Sequence, residues 1–322
     1  LFAVSLILVL VLVAWLATGC PVNYGALAGA AEAASDSSPS PAYTLERVTL
    51  TTQRGRQLTC LLRRPAPPRQ AGAPALLVAG GRRTGRRAVV YLDTAFAGLA
   101  LACDYPWAEL ARLRGASLLL RLPRLRAEIL ATPEALAAGA TYLAQRAGPD
   151  APLAALGASL GVPPVAAWAA RDARVRAVAL LYGGGELWRV FAANLEEDVP
   201  STWLRPVVAR TLGALLRPIE PVRTVGGIAP RPLLVIASAG DAWIPLESVE
   251  ALYQAAGPPK RLVWFHGVHM RTGDDALLRA LADTTLAWLG GVFGGPAPAQ
   301  LKRITLGLTP SDATKKPPRD PR

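Results

Sequence analysis

Lysine is nearly missing from this 322-residue chain. It occurs only at Lys260, Lys302, Lys315 and Lys316, so arginine carries almost all of the formal net charge of +12. The arginines are scattered, and no aromatic-interleaved basic stripe runs through them, which argues against nucleic acid as a partner. The charge reads as a solvated basic surface, with attraction to an anionic membrane or an acidic substrate as the sharper alternative. Histidine is scarcer still, at His266 and His269 alone, and no acidic cluster accompanies them. That is a poor donor set for a metal, so no metal and no cofactor is expected. Internal repeats are also lacking. Between Pro21 and Glu46 there is neither lysine nor arginine, and short flanks poor in both tend to be translocated.

What is present is apolar: 52% of the residues are hydrophobic. Without its two ends the chain keeps roughly 250 residues, enough for one well-buried domain. Residues 1–19 are almost wholly apolar, borderline in length between a signal segment and a membrane helix. The run ends in Leu16-Ala17-Thr18-Gly19-Cys20. Small residues before a cysteine resemble a bacterial lipoprotein signal, in which Cys20 would be lipidated, although Ala17 stands where a larger aliphatic residue is usual. A plain anchor or signal with an incidental cysteine is the alternative. Either reading puts the body on the extracytoplasmic side of the cell envelope, with the membrane engaged through residues 1–20. Residues 21–42, rich in Ala, Ser and Pro, read as a flexible linker. Residues 296–322 read as an extension, disordered from about 309. Cys60 and Cys103 each sit in an apolar strand-like run and read as inert core thiols, with pairing left open.

Between these ends apolar runs alternate with helical patterns. This predicts an α/β domain over 43–295: a mostly parallel, doubly wound sheet with helices on both faces. Residues 43–52 and 57–64 flank a glycine-containing turn and predict an antiparallel pair. Buried strands are expected at 75–79, 99–103, 152–156, 175–182, 232–237 and 261–265, one long helix at about 121–146, and a closing helix at 275–289. Residues 185–230 form an insertion with two helical patterns, about 186–194 and 204–216. It reads as a cap, with Trp188, Phe191 and Trp203 as pocket-wall or core candidates.

The chemistry is concentrated in Gly157-Ala158-Ser159-Leu160-Gly161, directly after the apolar run 152–156. Small residues two before and two after Ser159 allow a sharp strand-to-helix turn that pushes the hydroxyl out at the sheet's edge. A serine nucleophile needs a base, a carboxylate to orient the base, and backbone N–H groups for the oxyanion. Asp241, just past the strand 232–237, is the carboxylate candidate. The base must be His266 or His269, and His269 is preferred because it lies on a loop from which its ring can swing towards serine. The oxyanion donors are expected from the Leu160 backbone and from Gly81 or Arg82, in the loop after strand 75–79.

The order Ser159, Asp241, His269 resembles that of the α/β-hydrolase superfamily. Ile228-Ala229-Pro230-Arg231-Pro232-Leu233-Leu234-Val235-Ile236 followed by Asp241 is similar to its dienelactone-hydrolase-like, acyl-thioesterase and prolyl-oligopeptidase-like branches. The resemblance covers most of the chain and implies Ser159 as nucleophile, Asp241 as acid and His269 as base. Two departures stand out. The oxyanion loop begins Ala79-Gly80-Gly81 rather than His-Gly, and dienelactone hydrolases proper use a cysteine nucleophile. The expected activity is hydrolysis of a small-molecule carboxylic ester or acyl substrate, with thioesterase, peptidase or an inactive surface binding protein as alternatives. A near-miss to a phosphate-binding loop, Gly80 to Arg87, has Arg86 and Arg87 where Lys and Ser/Thr are needed. Those arginines could instead hold an anionic group of the substrate.

Overall fold

Among the described residues nine strands make one sheet. They are β1 (Leu27–Asp36), β2 (Tyr43–Thr52), β3 (Gln57–Pro65), β4 (Ala75–Ala79), β5 (Leu99–Cys103), β6 (Leu153–Ala158), β7 (Val175–Leu181), β8 (Leu233–Ser238) and β9 (Lys260–Phe265). The computed structural model describes residues 27–36, 41–66, 72–81, 83–92, 96–105 and 115–294. The strand order is β1-β2-β3-β5-β4-β6-β7-β8-β9. The pairings β1/β2, β2/β3 and β3/β5 are antiparallel, and every pairing from β5 to β9 is parallel.

The parallel strands are apolar because both their faces are covered. All five residues of β4 and of β5 are buried. Alternate side chains separate into two cores. On one face Leu77, Leu101, Ala155, Leu180 and Val235 pack against α2 (Thr132–Ala147), α3 (Val162–Ala169) and α7 (Leu246–Ala255). On the other, Leu76, Ala154, Leu156, Ala179 and Ile236 meet the closing helix α8 (Asp275–Val292) through Leu277, Leu281 and Trp288. The insertion forms α4 (Leu187–Asn194), α5 (Arg205–Leu215) and the single turn α6 (Pro221–Thr224).

Three expectations are corrected. The linker over 21–42 is not a tether throughout, because Leu27–Asp36 forms β1 and pairs with β2. An edge strand is held on one side by backbone bonds alone, so its Ala/Gly-rich sequence carries no core pattern to reveal it. The single helix expected at 121–146 is two, α1 (Gly115–Leu130) and α2, broken at Ala131. Pro133 has no N–H for a carbonyl one turn back, so it opens a helix rather than continuing one. Finally, Cys60 and Cys103 are not free core thiols but a disulfide. They are directly opposed across β3 and β5, and both are fully buried. Residues 1–26, with the apolar run and Cys20, and residues 295–322 lie outside the described residues. Among the described residues no helix is long and apolar enough to cross a membrane.

Candidate active site

The winding of the sheet reverses at β4. The chain runs from β4 outward to β5 on one side, then returns to β6 on the other. Loops leaving the carboxyl ends of β4 and β6 therefore diverge and leave a crevice between them. Ser159 follows β6 and Gly80-Gly81 follow β4.

Backbone crowding makes the Ser159 turn. A Cβ on Gly161 would be driven into the Ala79 carbonyl, and one on Gly157 would stand 2.8 Å from the Gly161 carbonyl oxygen. Only glycine lets β4, β6 and α3 approach this closely. Ser159 itself has φ of 52°, a left-handed conformation unfavourable for a residue with a side chain. The crowded surroundings enforce this turn, which sets the hydroxyl at its apex.

The loops after β8 and β9 supply the partners. Asp241 lies just beyond β8 and its side chain is 2% exposed. Its Oδ1 accepts the Trp243 N–H at 2.8 Å and the Ile244 N–H at 3.2 Å. Its Oδ2 is 2.6 Å from His269 Nδ1. The opposite ring nitrogen, Nε2, is 3.0 Å from Ser159 Oγ. An aspartate can only accept, so Nδ1 carries the proton and Nε2 is free to receive the serine's. The structure thus brings Ser159, His269 and Asp241 into one hydrogen-bonded line, whereas His266, directly after β9, is exposed.

Of the expected oxyanion donors, Leu160 follows Ser159 in the 3₁₀ turn Ser159–Gly161, and its N–H belongs to that turn's opening. Gly81 faces the serine, since a Cβ there would lie 3.4 Å from Ser159 Cβ. Arg82 lies outside the described residues. In the phosphate-loop-like segment, Arg86 is committed to Asp104, which takes both its guanidinium and, at 3.0 Å, its backbone N–H. Of the cap aromatics, Trp188 and Phe191 are half-buried, and Trp203 is 75% exposed, which corrects its assignment as core or wall. Among the described residues no group of three His, Cys, Asp or Glu side chains could hold a metal.

Four supporting residues carry no sequence signature. Ser238, buried at the end of β8, donates to the Gly267 carbonyl and receives the Gly240 N–H at 3.3 Å. It ties the aspartate loop to the histidine loop. Tyr182 also has a left-handed φ, 52°, and turns its ring edge-on to His269 at 5.6 Å between centroids. Burial, then the charge on Asp241, pushes its phenol well above the ordinary range, so it stays neutral. Trp243 covers His269 at 6.1 Å. Asn194, at the end of α4, donates to the Trp243 carbonyl at 2.8 Å and fastens the cap to that loop.

Comparison with solved structures decides the architecture. An acetyl xylan esterase from Paenibacillus sp. R4 superposes with a TM-score of 0.57 at 15% identity, over 86% of this chain and 93% of that one. An esterase from Pyrococcus furiosus gives 0.56 at 16% identity, over 82% and 97%. The esterase domain of a Rhodothermus marinus protein gives 0.53 at 20% identity, over 76% and 97%. The chain has the α/β-hydrolase fold. No protein-family profile and no curated protein matches the sequence. Within the α/β-hydrolase fold, the crevice between β4 and β6 is where this chain concentrates its left-handed serine, its paired histidine and its glycine-lined loop.

Proposed function

We propose that this protein is a serine hydrolase that cleaves a carboxylic ester through an acyl-enzyme. The observation that carries the reading is the continuous line from Ser159 Oγ through His269 to Asp241, with contacts of 3.0 and 2.6 Å. In the first half-reaction Ser159 Oγ bonds to the ester carbonyl carbon as its proton passes to His269 Nε2. The oxyanion is met by the Leu160 N–H and by an N–H of the loop at Gly81 or Arg82. Asp241 stabilises the imidazolium and fixes the ring. On collapse the carbon–alkoxy bond breaks and His269 returns the proton to the leaving alcohol. Water, activated by the same histidine, then releases the acid and restores the serine. The esterase activity named for the structural neighbours supports an ester over a thioester or a peptide bond.

The body belongs outside the cytoplasmic membrane, tethered through residues 1–20, with Cys20 as the lipidation candidate. The apolar 1–19 run and the flank without Lys or Arg support this, as does the Cys60–Cys103 disulfide, a bond that persists in oxidising compartments.

Labelling with a fluorophosphonate probe, followed by a p-nitrophenyl ester series of increasing acyl length, tests the activity. The wild type should be labelled and Ser159→Ala should not, with kcat reduced on the order of 10⁴-fold. Undiminished turnover by purified Ser159→Ala would sink the assignment.

A further inference from the structure

The helical insertion carries a second concave feature. An open cavity of about 290 Å³ is lined by Trp188, Arg210, Gly213, Ala214, Arg217, Glu220 and Arg223. It is built where α4 and α5 touch: a Cβ on Gly213 would lie 3.0 Å from Trp188 Cβ, so a glycine lets the two helices pack this closely.

The charge in this cavity is unbalanced. Among the described residues Arg210, Arg217 and Arg223 have no carboxylate partner, and all three are exposed. Arg210 lies over the Trp188 ring at 4.7 Å, which holds its guanidinium in place. Glu220 is the one acid on the lining, and its oxygens are taken. Oε2 accepts the Leu187 N–H at 2.9 Å and Oε1 the Val222 N–H at 3.4 Å. Arg189, which also lies over Trp188, is paired with Glu186 and is not needed. Three arginines and one carboxylate that is already occupied line the cavity, a formal excess of two positive charges. Arg64 and Arg174, by contrast, are paired with Glu46 and Asp172.

We propose that this cavity is a binding site for an organic phosphate, separate from the serine site. Guanidinium forks match phosphate oxygens bidentately, and no neutral or cationic ligand would offset the excess charge. The cavity exceeds the size of a bare phosphate ion, and the Trp188 wall offers apolar contact to the ester's organic part. A soluble glycerol or sugar phosphate and a phospholipid headgroup present the same chemistry.

The test measures thermal unfolding of the full chain. In detergent micelles free of phosphate, sn-glycerol 3-phosphate is titrated against glycerol at matched ionic strength. In parallel the chain is held in galactolipid nanodiscs with and without phosphatidylglycerol. A soluble ligand at ten times its Kd should raise Tm by about 3 °C. A comparable rise given only by phosphatidylglycerol would assign the site to a headgroup. In either case the rise should vanish in Arg210→Gln/Arg217→Gln and persist in Arg279→Gln, a surface change outside the cavity. The unliganded double variant should melt like the wild type, because both side chains are exposed. The proposal is overturned if neither phosphate source raises Tm, or if the rise survives the double substitution. Neither outcome bears on ester turnover, so the site stands or falls independently of the proposed activity.

Discussion

Asp241 does two jobs with two oxygens, and replacing it by asparagine should separate them. Oδ1 holds the Trp243 and Ile244 amides, and Oδ2 holds His269 Nδ1. In Asp241→Asn the side-chain oxygen has to stay with the two amides. Turning the NH₂ towards them would leave two buried donors unsatisfied, at a cost of about 1–3 kcal/mol each. The NH₂ therefore points at His269 Nδ1, which can meet it only as an acceptor. The ring proton moves to Nε2, facing Ser159, and the base is lost although every atom stays in place. The expected fall in kcat is about 10⁴-fold, or roughly 5 kcal/mol of transition-state stabilisation. Tm should change by less than about 2 °C. Asp241→Ala should lose a similar share of kcat but also both amide bonds, roughly 2 kcal/mol in all, lowering Tm by about 4–8 °C. Steady-state hydrolysis of p-nitrophenyl acetate and a melt followed by circular dichroism read the two effects. An Asn variant that keeps more than a tenth of wild-type kcat, or that melts as early as the Ala variant, would refute the reasoning.

Other outcomes follow from the same geometry. His269→Ala should be nearly as inactive as Ser159→Ala, with the double variant little worse than either, while His266→Ala keeps most activity; the reverse pattern in the same ester assay would misassign the base. Gly161→Ala should displace the serine turn, because its new methyl meets the Ala79 carbonyl, and a loss of about 100-fold in kcat with a lowered Tm is expected. Unchanged kinetics would show that the crowding relaxes freely. Cys60→Ala/Cys103→Ala opens a loop closed across 43 residues. It should cost about 4 kcal/mol, read as a Tm drop of roughly 8–16 °C by calorimetry; an unshifted melt would show that the bond adds nothing.

The sheet was legible where side chains write a pattern. The five-residue apolar runs of β4 and β5 can only be doubly covered strands, and Gly157, Ser159 and Gly161 announce a tight turn because only glycine tolerates the backbone contacts found there. Ser159, Asp241 and His269 could be named because each follows a strand-like run, and the structure sets those runs parallel in one sheet, their carboxyl ends on the same side. Features held by backbone or by register left no such trace. β1 is Ala- and Gly-rich and joins through its ladder to β2. The Cys60–Cys103 pairing depends on β3 lying beside β5 rather than beside β4, its successor in sequence, which nothing local encodes. Ser238 and Asn194 act through single bonds to carbonyls of distant loops, and a serine or asparagine at a strand or helix end is too common to stand out.

The edge strand also sets a length. An unstructured 21–42 segment could reach about 75 Å, but β1 takes up the chain from Leu27, so only seven residue steps separate Cys20 from the folded body. Fully extended, they span no more than about 25 Å. Were Cys20 the membrane tether proposed above, the folded body would be held within that distance of the membrane surface. Under that proposal its working volume would be a thin shell beside the bilayer, where esters borne on membrane-proximal molecules would meet it at higher local concentration than esters free in solution.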